Sequence, residues 1–584
     1  MSVDLKGSPF YLNDSQVAWV EQTWKEMSLD EKIGQLFCCC IEQFDSDTVT
    51  KVTELNFGSM MLRPFPIHGL QDNVRCLQEM SKYPMLISAN LENGGCGVVN
   101  EGTLYNMPMG CTATGDMESG YRLGKISATE ATSVGVNWGF APIVDIDLNY
   151  RNPITNIRAF SSKKEEVLEM ARGYLRAAKE EGLTPTLKHF PGDGTDERDQ
   201  HLLVSVNQLS YEEWMDSYGW VYRSLIQEED APTIMVGHIA QPEVARHLVP
   251  EISKEEAYMP ASQSKVLLTD LLREELGFNG LIVTDSTLMV GYMQKMPRRE
   301  ALCHTIEAGA DMILFDRNME EDITYMKAGY QNGLLSEDRF RDAVIRVLAL
   351  KASKNLHKKK IEGTLVPFSD PEKIVGQEKF REWTKECADK APTLVKDKGI
   401  LPLSPEKTKR VYLNVIENEI DDHSKFAADM KERLEKEGFE VELRKREMRI
   451  NMEELVQGII SADTARVMNE IKATTESFVK KYDLAVLCLD MPTESNATVV
   501  RVNWNVLAGL GNDIPWYAGE MPVVVVSFAN PYHLLDIPMA DVYVNAYTDN
   551  IETRDAVMDK LMGRSEFKGI SPVDPFCGHE DTKI

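Results

Sequence analysis

The segment KHFPGDGTDERDQH (residues 188–201) is unusually dense in ionisable side chains. Asp199 and His201 are two residues apart there, and in a turning loop a carboxylate at this spacing can orient an imidazole and stabilise its charge. Such a pair suits general acid–base chemistry near neutral pH. An Asx turn beside a surface histidine explains the spacing equally well. A calcium loop does not, because the bidentate glutamate and the flanking helices are missing.

Polar residues also end several apolar segments, where packing alone provides no reason for a charge. These residues are Asn90 and Glu92, Asp145 and Asp147, Lys188 and His189, His238, and Asp285 and Ser286. One such residue by itself is more typical of a turn cap than of a catalyst. Polar ends that meet on one rim would instead indicate a site for chemistry.

Apolar segments that alternate with helical stretches could build that rim. They are IGQLFCCC (33–40), FGSMML (57–62), MLISAN (85–90), NWGFAPIVD (137–145), TPTLKHF (184–190), TIMVGHI (233–239), LIVTDS (281–286) and DMILF (311–315). Eight such units over about 300 residues predict an α/β fold, a closed (β/α)8 barrel with its site at the carboxyl ends of the strands. Among the helices, Ser262 is predicted to cap the one that Gly277 ends.

A basic run, KASKNLHKKK (351–360), interrupts this alternation and is followed by a stretch with glycine and proline. We therefore predict a catalytic barrel over residues 1–355, a linker over 356–395 and a smaller C-terminal α/β sandwich domain over 396–584. The strands predicted for this doubly wound domain are RVYLNVI (410–416), DLAVLCLD (483–490), MPVVVVSFAN (521–530) and DVYVNAY (541–547).

Composition narrows the choice of partners. The chain has 584 residues, which is too many for one hydrophobic core, and a net charge of −28. So acidic a surface repels nucleic acid and anionic membranes, so neither is expected as a partner. The N-terminus shows no basic and apolar leader, and no run of about 20 apolar residues suggests a membrane span, so we expect a cytoplasmic location. The sequence leaves the oligomeric state open.

A series of motifs, in order, resembles glycoside hydrolase family 3 and in particular its β-N-acetylglucosaminidase branch. The motifs are MSLDEKIGQLF, FAPIVDID, NPITNIRAF, KHFPGDG…DQH, MVGHI, PASQSKVLLTDLLREELGFNGLIVTDS, AGADMILF, APTLVKDKGILPL and MGRSEFKGISPVD. They cover nearly the whole chain. The resemblance implies a retaining exo-β-glycosidase, a β-N-acetylglucosaminidase whose substrate is a terminal β-linked sugar of cell-wall fragments or chitin-type oligosaccharides.

The resemblance also implies a double displacement through a glycosyl-enzyme. Asp285 matches the family nucleophile. Asp199 and His201 match the Asp-x-His pair of the branch, which makes His201 the acid/base and Asp199 the carboxylate that orients it. The substrate-binding positions implied are Lys188, His189, Arg158, Asn90, Asp145 and His238. No cofactor and no metal is expected, because two side-chain groups suffice for this chemistry.

Three motifs depart from the branch. Asn90 stands where the branch has the aspartate of Asp-x-Glu-Gly-Gly, so an amide replaces a carboxylate and contacts to the far hydroxyls of the sugar are expected to change. Asp193 in PGDG replaces the histidine of PGHG, as in the β-glucosidase branch. Ala159 replaces the serine that usually follows the arginine.

Alternative functions stay open on the sequence. Glu494 in MPTES lies in a loop comparable to the one from which β-glucosidases take their acid/base, which would make the protein a β-glucosidase or β-xylosidase. A β-N-acetylglucosaminide phosphorylase would use phosphate in the second step, which a histidine acid/base does not repel. A non-catalytic carbohydrate-binding protein is the alternative of another class, although binding alone needs no nucleophile.

Overall fold

The structure is a computed structural model. It describes residues 3–419, 424–444, 456–462, 464–465, 469, 473–493, 495–496, 498, 501–504, 506–507, 510–511 and 513–584. The chain divides into two compact units. The first comprises Met1–Thr112, Asp116–Thr384 and Glu494–Val499, and the second comprises Ala113–Gly115, Lys385–Thr493 and Val500–Ile584.

The first unit contains a closed barrel of parallel strands. Its strands are β1 (Phe37–Ile41), β2 (Ser59–Leu62), β3 (Leu86–Ala89), β4 (Trp138–Gly139), β5 (Thr184–Phe190), β6 (Thr233–Val236), β7 (Leu281–Ser286) and β8 (Met312–Leu314). Each strand pairs with its neighbours in sequence, and β8 closes the barrel against β1. The predicted (β/α)8 barrel is therefore confirmed, and its continuous apolar strands are buried because helices cover their outer faces.

Helices and short turns of 3-10 helix connect the strands. The helices are Asp14–Glu26, Leu29–Gly34, Ser46–Glu54, Leu70–Met80, Pro108–Ala113, Glu118–Ser133, Lys164–Glu180, Tyr211–Asp216, Tyr218–Gln227, Pro242–Leu248, Lys254–Ala257, Val266–Glu275 (a π-helix), Val290–Met293, Arg298–Ala308, Met319–Gln331 and Glu337–Ser353. The 3-10 turns are Gly95–Gly97, Asn156–Arg158, Ala261–Gln263 and Pro371–Lys373. A short parallel pair, Ser205–Val206 with Ile239–Ala240, lies outside the barrel.

Strand bounds agree with the sequence prediction to different degrees, and β4 is the largest exception, because it spans only Trp138–Gly139 of the predicted segment 137–145. β5 and β7 span the predicted segments 184–190 and 281–286 without change. β1 begins later than predicted, because Ser28 and Glu31 form a capping box that starts helix Leu29–Gly34. The prediction that Ser262 caps the following helix is wrong. The Ser264 hydroxyl accepts the hydrogen bond from Leu267 N instead, at 3.3 Å.

The second unit contains a six-stranded sheet. Its strands are β9 (Thr393–Asp397), β10 (Arg410–Glu417), β11 (Glu440–Leu443), β12 (Leu484–Asp490), β13 (Val523–Ser527) and β14 (Val542–Asn545), and its helical segments are Lys425–Lys436, Thr475–Lys481, His533–Leu535, Ile551–Leu561 and Glu580–Lys583. The strand order is β9-β14-β13-β12-β10-β11. Alternate residues of the sheet belong to two apolar clusters, one on each face. This is the predicted α/β sandwich.

Two strands of this sheet escaped the sequence prediction. They are the antiparallel edge strand β9 and the short edge strand β11, whose burial alternates rather than being continuous. The predicted linker, residues 356–395, contains helices Leu356–Glu362 and Glu378–Lys390. The domain boundaries given above remain a prediction. Across the described part of the chain, none of the helices is long and apolar enough to span a bilayer.

Candidate active site

The carboxyl ends of the barrel strands carry the candidate polar residues. Lys188 and His189 belong to β5, and Asp285 belongs to β7. Asn90, Asp145 and His238 follow β3, β4 and β6. All of them are in the first unit, at the end of the barrel where (β/α)8 enzymes carry their sites.

Asp285 is a largely buried carboxylate at the end of β7. Its Oδ1 accepts a hydrogen bond from Ser286 N at 2.7 Å, and its Oδ2 lies 3.9 Å from His189 Nε2. Burial raises the pKa of Asp285, but the charges of the neighbouring imidazoles outweigh burial and hold that pKa below its ordinary value. Asp285 is therefore ionised at neutral pH and able to donate an electron pair.

Asp145 fixes the ring of His189 beside that carboxylate. Asp145 Oδ2 lies 2.7 Å from His189 Nδ1, and its Oδ1 accepts from His189 N at 3.1 Å. Both side chains are buried. Because Nδ1 is engaged by Asp145, Nε2 is the nitrogen that faces Asp285. Asp145 thus contacts His189 rather than the open part of the site.

Glu92 joins the two cations of the site. Its carboxylate pairs with Arg158 through two hydrogen bonds of 2.9 Å and with Lys188 Nζ at 2.6 Å. Lys188 Nζ also donates to Asn90 Oδ1 at 3.3 Å. Burial raises the pKa of Glu92, yet Arg158 and Lys188 hold it well below its usual range. The cluster presents several directed donors in fixed positions, which hydroxyl groups of a sugar require.

Asp199 and His201 form a hydrogen-bonded pair in the loop after β5. Asp199 Oδ1 lies 2.7 Å from His201 Nδ1 and accepts from His201 N at 2.8 Å. Asp199 Oδ2 accepts from Asn496 N at 2.6 Å, a contact within the first unit. The carboxylate is fully buried, whereas the imidazole is 27% exposed, so its Nε2 is the nitrogen left to meet a substrate.

The sequence predicted that His238 binds substrate, but the structure places its ring against other parts of the protein. Its Nδ1 lies 2.8 Å from the Ser262 hydroxyl, and its Nε2 lies 2.9 Å from the carbonyl oxygen of Ser286. Both ring nitrogens are thus bound to the protein, and the side chain is fully buried. The ring braces the end of β7 next to Asp285.

The structure brings the predicted site residues together in groups. Glu92 links Arg158 to Lys188, which also contacts Asn90; His189 lies between Asp145 and Asp285; and Asp199 pairs with His201. Glu494, the rival acid/base, lies outside the described residues. The sequence analysis named Glu92 only as a polar residue after a strand and gave it no role, whereas the structure shows that it holds both Arg158 and Lys188. Among the described residues, no group of three or more His, Cys, Asp and Glu side chains is arranged to hold a metal ion.

A (β/α)8 barrel with a buried carboxylate, an Asp–His pair and a cation cluster at its strand ends has the parts of a glycosidase. The family profile described as "Glycosyl hydrolase family 3 N terminal domain" matches residues 28–350. This is more than half of the chain, and the chain belongs to glycoside hydrolase family 3. It is an enzyme of that family, and its substrate is a carbohydrate.

Individual relatives differ in their activities. A "Beta-N-acetylglucosaminidase/beta-glucosidase" of Cellulomonas fimi is 38% identical over 594 aligned positions, which cover all of both chains. A solved structure titled "Beta-glucoside phosphorylase BglX" is 42% identical, covers 99% of each chain and has a TM-score of 0.90. A family 3 β-N-acetylglucosaminidase from Paenibacillus sp. str. FPU-7 is 22% identical with a TM-score of 0.74, covering 94% of this chain and 99% of that chain, a likeness of fold.

Proposed function

We propose that the protein is a retaining exo-β-glycosidase that transfers a terminal β-linked N-acetylglucosaminyl or glucosyl group, with Asp285 as nucleophile and His201 as acid/base. The observation that carries the proposal is the Asp199–His201 pair, with its 2.7 Å hydrogen bond, on the rim that also holds the ionised Asp285. The cytoplasmic location expected from the sequence remains part of the proposal.

The Glu92 cluster and His189 would bind the sugar in the first step. Arg158 and Lys188 carry donors that can reach hydroxyl oxygens, and Glu92 can accept a hydroxyl proton. Because Glu92 holds both cations by bonds of 2.6–2.9 Å, their donors keep one geometry before substrate arrives. This preorganisation places the anomeric carbon beside Asp285.

Asp285 would then attack the anomeric carbon while protonated His201 donates the Nε2 proton to the departing glycosidic oxygen. Asp199 stabilises the imidazolium before this transfer and keeps the remaining proton on Nδ1 afterwards. The resulting glycosyl-enzyme carries an ester at Asp285. In the second step the neutral Nε2 accepts a proton from the acceptor, which attacks the same face and restores the β configuration.

Phosphate is the acceptor that we propose for this second step. His201 is neutral after it has given up its proton, so it does not repel an incoming phosphate as a glutamate would. The likeness to a β-glucoside phosphorylase, at 42% identity over 99% of both chains, favours this choice over water. The name of the 38% identical relative includes both sugars, which is why glucosyl and N-acetylglucosaminyl groups are both proposed.

Release of nitrophenol from the β-glucoside and the β-N-acetylglucosaminide of p-nitrophenol, with and without phosphate, tests the proposal. We expect turnover that phosphate accelerates, a sugar 1-phosphate as product, and a large loss in His201→Ala. Glu494→Gln is the matched variant at the rival acid/base and should keep its activity. A loss in Glu494→Gln with His201→Ala unaffected would overturn the assignment of the acid/base.

A further inference from the structure

Gln200 lies between the two members of the Asp–His pair, and its side chain bonds to the protein around the barrel rather than facing the open site. It is buried, and its Oε1 accepts a hydrogen bond from His238 N at 2.7 Å. The ring of His238 in turn lies 2.9 Å from the Ser286 carbonyl oxygen, next to the nucleophile. The backbone that carries the acid/base is therefore tied, through the side chains of Gln200 and His238, to the strand end that carries Asp285.

Asp193 holds the other end of that side chain. Gln200 Nε2 donates to Asp193 Oδ2 at 3.3 Å, while Asp193 Oδ1 accepts from Asn152 Nδ2 and from Gly194 N, each at 2.7 Å. Asp193 N donates to Asp145 Oδ1 at 2.8 Å, and Asp145 is the carboxylate that orients His189. Asp193 thus contacts both Gln200, beside the acid/base, and the group that holds His189.

We propose that Asp193 and Gln200 are a pair of positioning residues that sets the acid/base loop at its working distance from the nucleophile. The inference rests on the proposed function, in which His201 protonates the leaving group. Neither residue touches the reacting atoms. Their effect is on the place of His201, and it should appear most strongly in the step that needs a proton from that imidazole.

Because each hydrogen bond has a fixed donor and acceptor, the pair can be tested by exchanging its carboxylate and its amide between positions 193 and 200. Gln200 Oε1 faces the N–H of His238, so its Nε2 must face Asp193. In Asp193→Asn an amide N–H₂ would face that Nε2, and two donors cannot bond. In Gln200→Glu two buried carboxylates would face each other and repel unless they share a proton. In the double variant, the amide introduced at position 193 donates to the carboxylate introduced at position 200, and every other bond is retained.

The experiment measures kcat/KM of the two single variants and the double variant with p-nitrophenyl and 2,4-dinitrophenyl glycosides. It is run at pH 8, above the pKa of about 7 to which burial raises Asp193, so that the wild-type carboxylate can accept from Gln200. The second leaving group departs without a proton, so its release reports on Asp285 alone. We expect kcat/KM of each single variant to fall by about tenfold or more with the p-nitrophenyl substrate and to fall little with the dinitrophenyl substrate. A tenfold effect lies within the range of coupling energies between contacting residues. The double variant should return to within about threefold of wild type.

The pH profile of Gln200→Glu separates positioning from a plain charge effect. Ionisable groups around the pair are Asp145, His189, Asp199, His201, Tyr218 and His238. A new negative charge by itself would keep imidazolium at His201 to higher pH and extend activity upward. Positioning predicts the opposite, since a shared proton preserves the link near pH 5.5 and its loss breaks the link by about pH 8.

Three outcomes decide the matter. The proposed positioning pair is supported if the double variant recovers the activity or the folding that a single variant has lost, and if the activity of Gln200→Glu falls as the pH rises. Single variants that equal wild type, or a double variant that is as poor as the worse single, would overturn it. His201→Ala measured alongside tells the two failures apart, because a wrong acid/base assignment leaves that variant active.

Discussion

Asp199→Asn removes the negative charge that stabilises the protonated imidazole of His201, without changing the shape of the side chain at position 199. The amide oxygen can face His201, where it still accepts from Nδ1 and from the backbone N–H, but then the amide nitrogen meets the N–H of Asn496. Alternatively the amide nitrogen faces His201, forces Nδ1 to act as an acceptor, and leaves Nε2 unable to take a proton. Either orientation weakens the acid/base.

The size of the effect follows from these two geometries. In the first orientation the imidazolium keeps its hydrogen bond, but the acceptor is no longer charged. A hydrogen bond to a charged group is worth about 1.5–3 kcal/mol, so losing that charge lowers the rate by up to about 10-fold to 150-fold. The second also inverts the tautomer, for which the equivalent change in the Ser-His-Asp hydrolases lowers kcat by about 10⁴-fold. We therefore expect kcat/KM for the p-nitrophenyl glycoside to fall by at least about tenfold.

The assay compares leaving groups in steady state and in the first turnover. With the dinitrophenyl glycoside, Asp199→Asn should release a burst of dinitrophenol at nearly the wild-type rate and then stall, because deglycosylation still needs a base. Asp196→Asn is the matched control, since Asp196 lies in the same loop and accepts from Val206 N instead. The reasoning fails if Asp199→Asn stays within about threefold of wild type on both substrates.

Further predictions concern the cluster, the nucleophile, pH and metals. Glu92→Gln removes the carboxylate that pairs with buried Lys188 and Arg158, so we expect a loss of about 3–5 kcal/mol in unfolding free energy and a higher KM. Glu79→Gln, at an exposed position, should change neither quantity. An unaltered melting temperature of Glu92→Gln would contradict this prediction. Asp285→Ala should lower kcat by up to about 10⁶-fold, and mass spectrometry should detect no glycosyl-enzyme. A covalently glycosylated Asp285→Ala would refute the role of Asp285 as nucleophile. Burial and the charge of Asp145 raise the pKa of Asp193 to about 7, so the protonated carboxyl stabilises the fold at pH values below the ordinary pKa of aspartate, and this stabilisation is lost as the pH rises through about 7. The melting temperature of wild type should therefore fall relative to that of Asp193→Asn between pH 5 and 8. Melting temperatures that change in parallel with pH would argue against this linkage. Chelators should leave turnover unchanged, and a loss that added metal restores would show that metal-free chemistry is wrong.

Local sequence pattern predicted the architecture well because burial and backbone pairing repeat over a few residues. Apolar runs with a charged residue near their carboxyl end, such as 184–190 and 281–286, became β5 and β7 with those same bounds. Prediction was weaker where a strand is at a sheet edge. β11 alternates exposed and half-buried residues, so it lacks the continuous apolar run that marked the other strands.

The sequence by itself determined which residue types stand at the strand ends, and hence Asp285, Lys188, His189 and the Asp199–His201 spacing. Only the tertiary structure decided which partner each of them has. Glu92 reaches Arg158 and Lys188 across 66 and 96 residues of chain, and Asp199 meets Asn496 across 297. Side-chain hydrogen bonds need atoms within about 3 Å, and that proximity depends on how distant segments pack, which no local pattern records.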